Sequence, residues 1–407
     1  MSLVVAAHGS VVPSRRARLP LFHRCRGTGN AATRVVRPDT KCWGKKPSTS
    51  DGRPLDLVVF TVIVDDLVFA DGTTQMEQLG GGGPQTAWGF RTHSRDFSVG
   101  LAAGVGPDLP EQCIDWLEKN GIDMEGLALV RDTDSNEKNT EESSWEGGGT
   151  SASAFERRDA DLAGEFRPTP RAWQITENDG RRTQVWRTVP SPGLYAMLRP
   201  PASTLPERYK SASAFHIGVH PERPDFALLQ DLRSFATTHE TLISVEPFTS
   251  ALSHVSCASL QKLCQSCDVF SPNELEAVSL VGTGTPVELC ERLLNAGAKV
   301  VCIRRGALGA VAVDSRKGST TVWSVPAYLD ESETKDVTGC GNAFCGAFFA
   351  SLLNGEPVEE ALCWGSATAS VMAQNIGVPT EPAGDAETRD KVRKRFEEIR
   401  PQAIRIE

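Results

Sequence analysis

DVTGCGNAFCGAFF, residues 336–349, sets Gly339 and Gly341 ahead of a run of small and apolar residues with helical spacing. Glycine lets the backbone turn tightly, so that successive N–H groups converge on one point, and a helix that follows adds the positive end of its dipole there. The stretch predicts an anion cradle in which a phosphoryl group, meeting no Cβ atom, approaches the main chain closely. Simple close packing of a small-residue helix fits the same letters. Asn342 stands where such a helix-start site can hold a carboxylate.

Outward from this point, short apolar runs alternate with amphipathic ones. LDLVVFTVIV (55–64), SAFHIGVH (213–220), TLISVEP (241–247), CDVFSPN (267–273), KVVCIRRG (299–306) and GAVAV (309–313) read as strands. EQCIDWLEKNG (111–121), FALLQDLRSFATTH (226–239), PVELCERLLNAG (286–297) and PVEEALCWGSATASVMAQNIG (357–377) read as helices. This alternation implies an α/β fold, a mostly parallel sheet covered by helices on both faces. AWQITENDGRRTQVW (172–186) departs from the rhythm. Two alternating runs flank Asn178, Asp179 and Gly180, a turn sequence, and predict a β-hairpin that serves as a lid or as an ordinary edge.

The 407 residues are 40% hydrophobic and 23% charged, enough for a sizeable core. Charge is uneven: residues 1–50 hold ten Lys/Arg against the single acid Asp39, leaving 33 basic and 51 acidic residues elsewhere. An acidic body argues against nucleic acid or an anionic membrane as partner. The most apolar stretch, LVVFTVIV, stops at Asp65 and Asp66, well short of a membrane span. Eleven cysteines without framework spacing read as reduced thiols of an intracellular, soluble protein, and Cys264-x-x-Cys267 lacks a second ligand pair for zinc. The leader, residues 1–54, is Arg-rich and nearly free of acids. It reads as a plastid or mitochondrial transit peptide or as a disordered extension of a cytoplasmic chain. Residues 131–166, rich in Glu, Ser and Gly, read as a solvated insertion.

Taken with its surroundings, DVTGCGNAF resembles the second signature of the PfkB (ribokinase-like) carbohydrate kinase family, whose usual form is D-T-x-G-A-G-D-x-F. Other segments match in the family's order. VVFTVIVDD with LGGGGPQTA is similar to the first strand and Gly-Gly segment, which puts Asp65, Gly80, Gly81, Gly83 and Gln85 at substrate-binding positions. NELE resembles the N-x-x-E motif, with Asn273 at the nucleotide and Glu276 organising Mg²⁺ through water. VVCIRRGALGAVAV resembles the strand-turn-strand at the nucleotide, with Gly306 and Gly309 matching but Arg304 and Arg305 replacing smaller residues. Asp336, Thr338 and Ser366 fall at further nucleotide positions. IVDDLVF, RAWQITENDGRR and VEPFTS look closest to a divergent eukaryotic branch.

The resemblance implies a ribokinase-like three-layer α/β/α sandwich over residues 55–385, with small β-lid elements near 67–79 and 167–190 and a C-terminal helix and tail over 386–407. It also implies ATP and Mg²⁺ as cofactors, a small polyol, sugar or nucleoside as substrate, and a monomer or lid-mediated homodimer. In such kinases the signature Asp accepts the substrate hydroxyl's proton while Gly339, Cys340 and Gly341 form the anion hole. Here that Asp is Asn342, which hydrogen-bonds a hydroxyl but takes no proton. The loss of a general base costs about 10²- to 10⁴-fold in rate. Three expectations follow: a slow or restricted ATP-dependent kinase, a kinase fold that binds ligand or partner without turnover, or a kinase in which another acid, Asp336 or Glu246, reaches the hydroxyl. Cys340 at a helix start reads as a passive small residue or a thiol of lowered pKa. Asp66 competes with Asp65 for the inward side of its strand.

Overall fold

The structure, a computed structural model, describes residues 53–130, 166–178, 182–235 and 241–406. Of the expected leader (1–54) residues 1–52, of the expected insertion (131–166) residues 131–165, and of the expected turn Asp179 and Gly180 lie outside the described residues, as do 181, 236–240 and 407. In chain order the strands are β1 (Leu57–Phe60), β2 (Ile63–Val68), β3 (Thr74–Gly80), β4 (Val99–Val105), β5 (Ile122–Asp123), β6 (Leu127–Leu129), β7 (Arg171–Thr176) and β8 (Arg182–Trp186). They continue as β9 (Ala214–Val219), β10 (Leu242–Pro247), β11 (Val269–Phe270), β12 (Val300–Arg304), β13 (Ala310–Asp314), β14 (Thr321–Val325) and β15 (Ile404–Arg405).

The large sheet runs β15-β14-β13-β12-β11-β10-β9-β1-β4-β5, with β6 also paired to β4. From β12 to β5 every pairing is parallel, and β13, β14 and β15 add antiparallel strands at one edge. Alternate residues of β1 serve two different cores. Leu57 and Val59 pack with the helices Gly82–His93, Cys340–Leu353 and Val358–Ala373, whereas Val58 and Phe60 pack with Phe226–Ser234, Cys257–Gln265 and Pro286–Asn295. Side chains that point alternately to two buried faces explain why these strands read as unbroken apolar runs. This is the three-layer α/β/α sandwich with a mostly parallel sheet.

A second sheet of four strands, β3-β2-β7-β8, stands apart from the first. β2 pairs antiparallel with β3 and parallel with β7, and β7 pairs antiparallel with β8 in the expected hairpin. The segment 55–64, which reads as one strand, is therefore two strands in two sheets. The break lies at Thr61, whose φ of 82° is left-handed, a costly conformation for a β-branched residue. Its N–H donates to the Ala102 carbonyl, its carbonyl accepts from the Gly83 N–H, and its Oγ1 donates to the Leu198 carbonyl at 2.9 Å. Three bonds at one residue hold the chain in a corner that sequence alternation does not reveal. After the helix Ala386–Ile399 the C-terminal tail adds β15 to the sheet edge.

The described cysteines are free thiols, and Cys264 and Cys267 are buried in the core. No helix among the described residues is long and apolar enough to cross a membrane.

Two helices position the site. Gly82–His93 and Cys340–Leu353 cross so closely that a Cβ on Gly89 would lie 2.1 Å from the Ala343 carbonyl oxygen, and one on Gly346 would lie 2.1 Å from that of Thr86. Exposed helix glycines gain about 1 kcal/mol on mutation to Ala, but here backbone stands in the way. Gly89→Ala and Gly346→Ala each lower the unfolding free energy by about 2–4 kcal/mol in urea titrations, opposite in sign to the intrinsic propensity.

Candidate active site

A cavity of about 930 Å³ opens at the carboxyl ends of β1, β9, β10 and β12, the place where open parallel sheets offer their loops to ligands. Its volume falls within the range of small-molecule binding sites. The small sheet stands at its mouth and contributes Asp65, Gln174, Arg182, Gln184 and Trp186 to the lining.

Asp65 and Asp66 are both buried, at 3% and 0% exposure, but point to opposite faces of β2. Asp65 lines the cavity and accepts from Gln174 Nε2 at 2.9 Å, whereas Asp66 pairs with Arg187 and accepts the Glu77 N–H at 2.9 Å. Burial raises the Asp65 pKa to about 7, against the pull of Gln174 and Arg182. Gly81 also lines the cavity. Gly80 and Gly83 do not: a Cβ on Gly80 would strike the Asp65 carboxylate and one on Gly83 the Phe60 carbonyl, so both glycines make room for protein atoms.

The loop 338–342 lines the cavity from the other side, and Gly339 has the left-handed φ of 79° that sends the chain into the helix. The first amides of a helix have no intrahelical acceptor, so those of Gly341 and Asn342 point outward as the cradle requires. The space that the two glycines leave is taken by side chains: a Cβ on Gly339 would lie 2.5 Å from Gln85, and one on Gly341 2.2 Å from Arg304 Nη1. Asn342 Nδ2 donates to Gln85 Oε1 at 2.5 Å, which turns the amide oxygen toward Gly82. Burial pushes the Cys340 thiol up to about 12, so no thiolate forms there near neutral pH. Asp336 does not line the cavity. Its carboxylate braces the loop by accepting the Thr338 and Gly377 N–H groups at 2.8 and 2.9 Å. Thr338, Gly306, Gly309 and Ser366 do line it, with Ser366 Oγ donating to the Pro326 carbonyl at 2.9 Å.

N-x-x-E folds as a capping box. Asn273 Oδ1 accepts the Glu276 N–H at 2.8 Å and Glu276 Oε2 accepts the Asn273 N–H at 2.7 Å, starting the helix Glu274–Val281. Both residues also line the cavity. Beside them Arg304 Nη2 lies 3.2 Å from Glu246 Oε2 and 3.7 Å from Glu276 Oε2, and donates to the Ser271 carbonyl at 2.8 Å. Burial raises the Glu276 pKa to about 7 although Arg304 and the Asn273 N–H oppose it. At Glu246 burial also acts upward, but Arg304 and then His216 outweigh it and hold the carboxylate below its usual range. His216 Nε2 stands 3.4 Å from Glu246 Oε1, and His216 Nδ1 3.0 Å from Ser244 Oγ.

This arrangement bears on the Mg²⁺ expected at Glu276. A metal needs carboxylate oxygens free of a competing cation. Here a guanidinium lies between the two acids, and one Glu276 oxygen already caps a helix. The cap and the guanidinium fall on the same oxygen, Glu276 Oε2, which does not fit a divalent ion held directly. Sequence reasoning also passed over His216 and Gln174, whose only signal is a polar residue inside an apolar alternating strand.

The pfkB family carbohydrate kinase model matches residues 168–383. Over 157 residues the chain is 29% identical to the cytidine kinase of Thermococcus kodakarensis, a match covering 38% of this chain and 53% of that one. It spans about half or less of the length of the curated relatives it matches. The structure superposes on Arabidopsis thaliana ribokinase complexed with ribose and ATP, with a TM-score of 0.55 and 18% identity over 85% of this chain and 99% of that one. It also superposes on a protein described as a ribokinase II from E. coli in complex with ATP and Mg²⁺, with a TM-score of 0.59 and 16% identity over 85% and 99% of the two chains.

The raised Asp65 pKa gives a pH signature. The folded state holds this proton more tightly than the unfolded chain, so the stability it confers is present below about pH 4 and is lost as pH rises through about 7. Asp65→Asn, which has no such proton, gains stability over wild type across that window, reaching on the order of 4 kcal/mol at pH 8, measured by chemical denaturation at each pH.

Proposed function

Because the chain belongs to the PfkB family of carbohydrate kinases, we propose that it transfers the γ-phosphoryl group of ATP to a hydroxyl of a sugar or nucleoside bound between Asp65 and Asn342. The observation that carries this reading is the convergence, in one cavity, of a loop with outward helix-start amides and a buried carboxylate suited to a polyol. Asp65 accepts hydrogen bonds from the acceptor's hydroxyls, more strongly once ionised. The Asn342 amide, fixed by Gln85, presents its oxygen to the reacting hydroxyl and orients it.

Asp336 is spent on the loop, so the acid left to take the proton is Glu246. The space beyond Gly82 brings the two groups together: its Cβ position lies 3.7 Å from Glu246 Oε1 and 3.9 Å from Asn342 Oδ1. In the transfer the hydroxyl oxygen bonds to the γ-phosphorus, the bond from phosphorus to the β,γ-bridging oxygen breaks, ADP leaves, and the hydroxyl proton passes to Glu246. A carboxylate of lowered pKa is a weak base, which suffices where proton transfer follows a loose, dissociative phosphoryl transfer. The amides of Gly341 and Asn342 meet the charge on the transferring group. A metal ion accompanying ATP would be held by its phosphates and water rather than by Glu276.

The test is a screen of ATP-dependent phosphorylation over sugars and nucleosides with wild type, Asn342→Asp and Glu246→Gln. Wild type turns over at least one acceptor. Glu246→Gln lowers kcat about 10²-fold or more, whereas Asn342→Asp changes it less than about 10-fold. The reverse ranking moves the proton acceptor away from Glu246. No turnover by any of the three proteins supports the binding-only reading that Asn342 allows.

A further inference from the structure

Among the arginines that line the cavity, Arg304 lies against the helix-start loop. The Arg304 side chain is 13% exposed, and among the described residues its ion pairs and hydrogen bond fall on Nη2, to Glu246, Glu276 and the Ser271 carbonyl. Buried Nε has no hydrogen-bond partner among the described residues, a costly condition for a charged donor. Nη1 lies against Gly341, 2.2 Å from where a Cβ would stand, and so against the first turn of the helix Cys340–Leu353.

A positive side chain at a helix N-terminus is electrostatically unfavourable, because the dipole presents positive charge at the same point. Glu246 and Glu276 offset the guanidinium on one side only. On the cradle side two positive features face a cavity wall with unused donors, and an anion there relieves both. A planar guanidinium matches the oxygens of a phosphate group, and phosphate is the ligand that helix-start amides accept.

Resting on the kinase reading above, we propose that the Arg304 guanidinium takes the place of a protein-held divalent cation at the N-x-x-E acids and is itself the group that binds the phosphate chain of the nucleotide. Glu276 then orients Arg304 and holds no metal. Arg304 acts as a phosphate-binding residue, and nucleotide binding becomes largely independent of Mg²⁺.

The experiment measures, by titration calorimetry, the binding of tripolyphosphate in EDTA and of ATP with EDTA or with Mg²⁺. Wild type binds tripolyphosphate without metal, and its two ATP dissociation constants agree within about 3-fold, since a charged guanidinium already supplies the bonds a metal would. Arg304→Gln weakens tripolyphosphate binding by about 10- to 100-fold, the loss of one or two charge-assisted bonds. Glu276→Gln leaves the guanidinium in place with one acid fewer opposing it and tightens metal-free binding about 3-fold or more. If Glu276 instead holds the metal, that variant weakens ATP binding in Mg²⁺ and leaves tripolyphosphate unaffected, which overturns the proposal. Absence of metal-free tripolyphosphate binding by wild type overturns it as well. Should Arg304→Gln fail to fold, as judged by circular dichroism, the opposite signs predicted for Glu276→Gln still decide. Tripolyphosphate binding that depends on Arg304, without phosphorylation of any acceptor, upholds the site and sinks the kinase reading, so the two fail separately.

Discussion

The cavity floor depends on how closely two helices approach. Gln85 lies on the helix Gly82–His93 and Asn342 on Cys340–Leu353, and their 2.5 Å hydrogen bond exists because Gly89 and Gly346 bring backbone against backbone a turn or so away. A close-packed interior transmits such a constraint rigidly. The crossing joins the half of the chain that carries Asp65 to the half that carries the anion loop, and fixes the separation across which an acceptor and a phosphoryl donor would meet.

Upon this frame the site is an exercise in balancing buried charge. Asp65 and Glu276 are pushed toward neutrality by burial, to about 7 in each case, while Glu246 is kept ionised by Arg304 and His216. Removing charges from water is expensive unless they are paired, and Arg304 is shared between two acids that would otherwise repel each other. Burial thus raises two of the carboxyl groups that line the cavity toward neutral pH. An arginine at position 304 sets which acids remain charged, and a smaller residue there would leave Glu246 and Glu276 to settle the matter between themselves.

Much of the architecture is legible in the residues. Alternating apolar and amphipathic runs announce the covered parallel sheet, and the turn letters Asn178, Asp179 and Gly180 announce the hairpin. The division of residues 55–64 between two sheets is not legible, because it rests on a left-handed threonine that no propensity favours. The same holds in the site. Glycines 339 and 341 signal a cradle, but nothing local says that Gln85 and Arg304, remote in sequence, fill the volume they vacate. The N-x-x-E letters fit a helix cap and a ligand site equally, and the structure uses them as a cap at the cavity wall. Long-range packing decides these points, and a single sequence records it only indirectly.

Thr61 makes the joint between the two sheets resemble a loaded spring. Backbone strain of about 1–3 kcal/mol at such a residue is relieved whenever the chain swings out of its left-handed state. The bonds to Ala102, Gly83 and Leu198 offset that strain and keep the corner in place. The strain is held so that Gln174, Arg182 and Trp186 of the small sheet line the cavity. A single left-handed residue thus sets the angle at which the small sheet meets the large one.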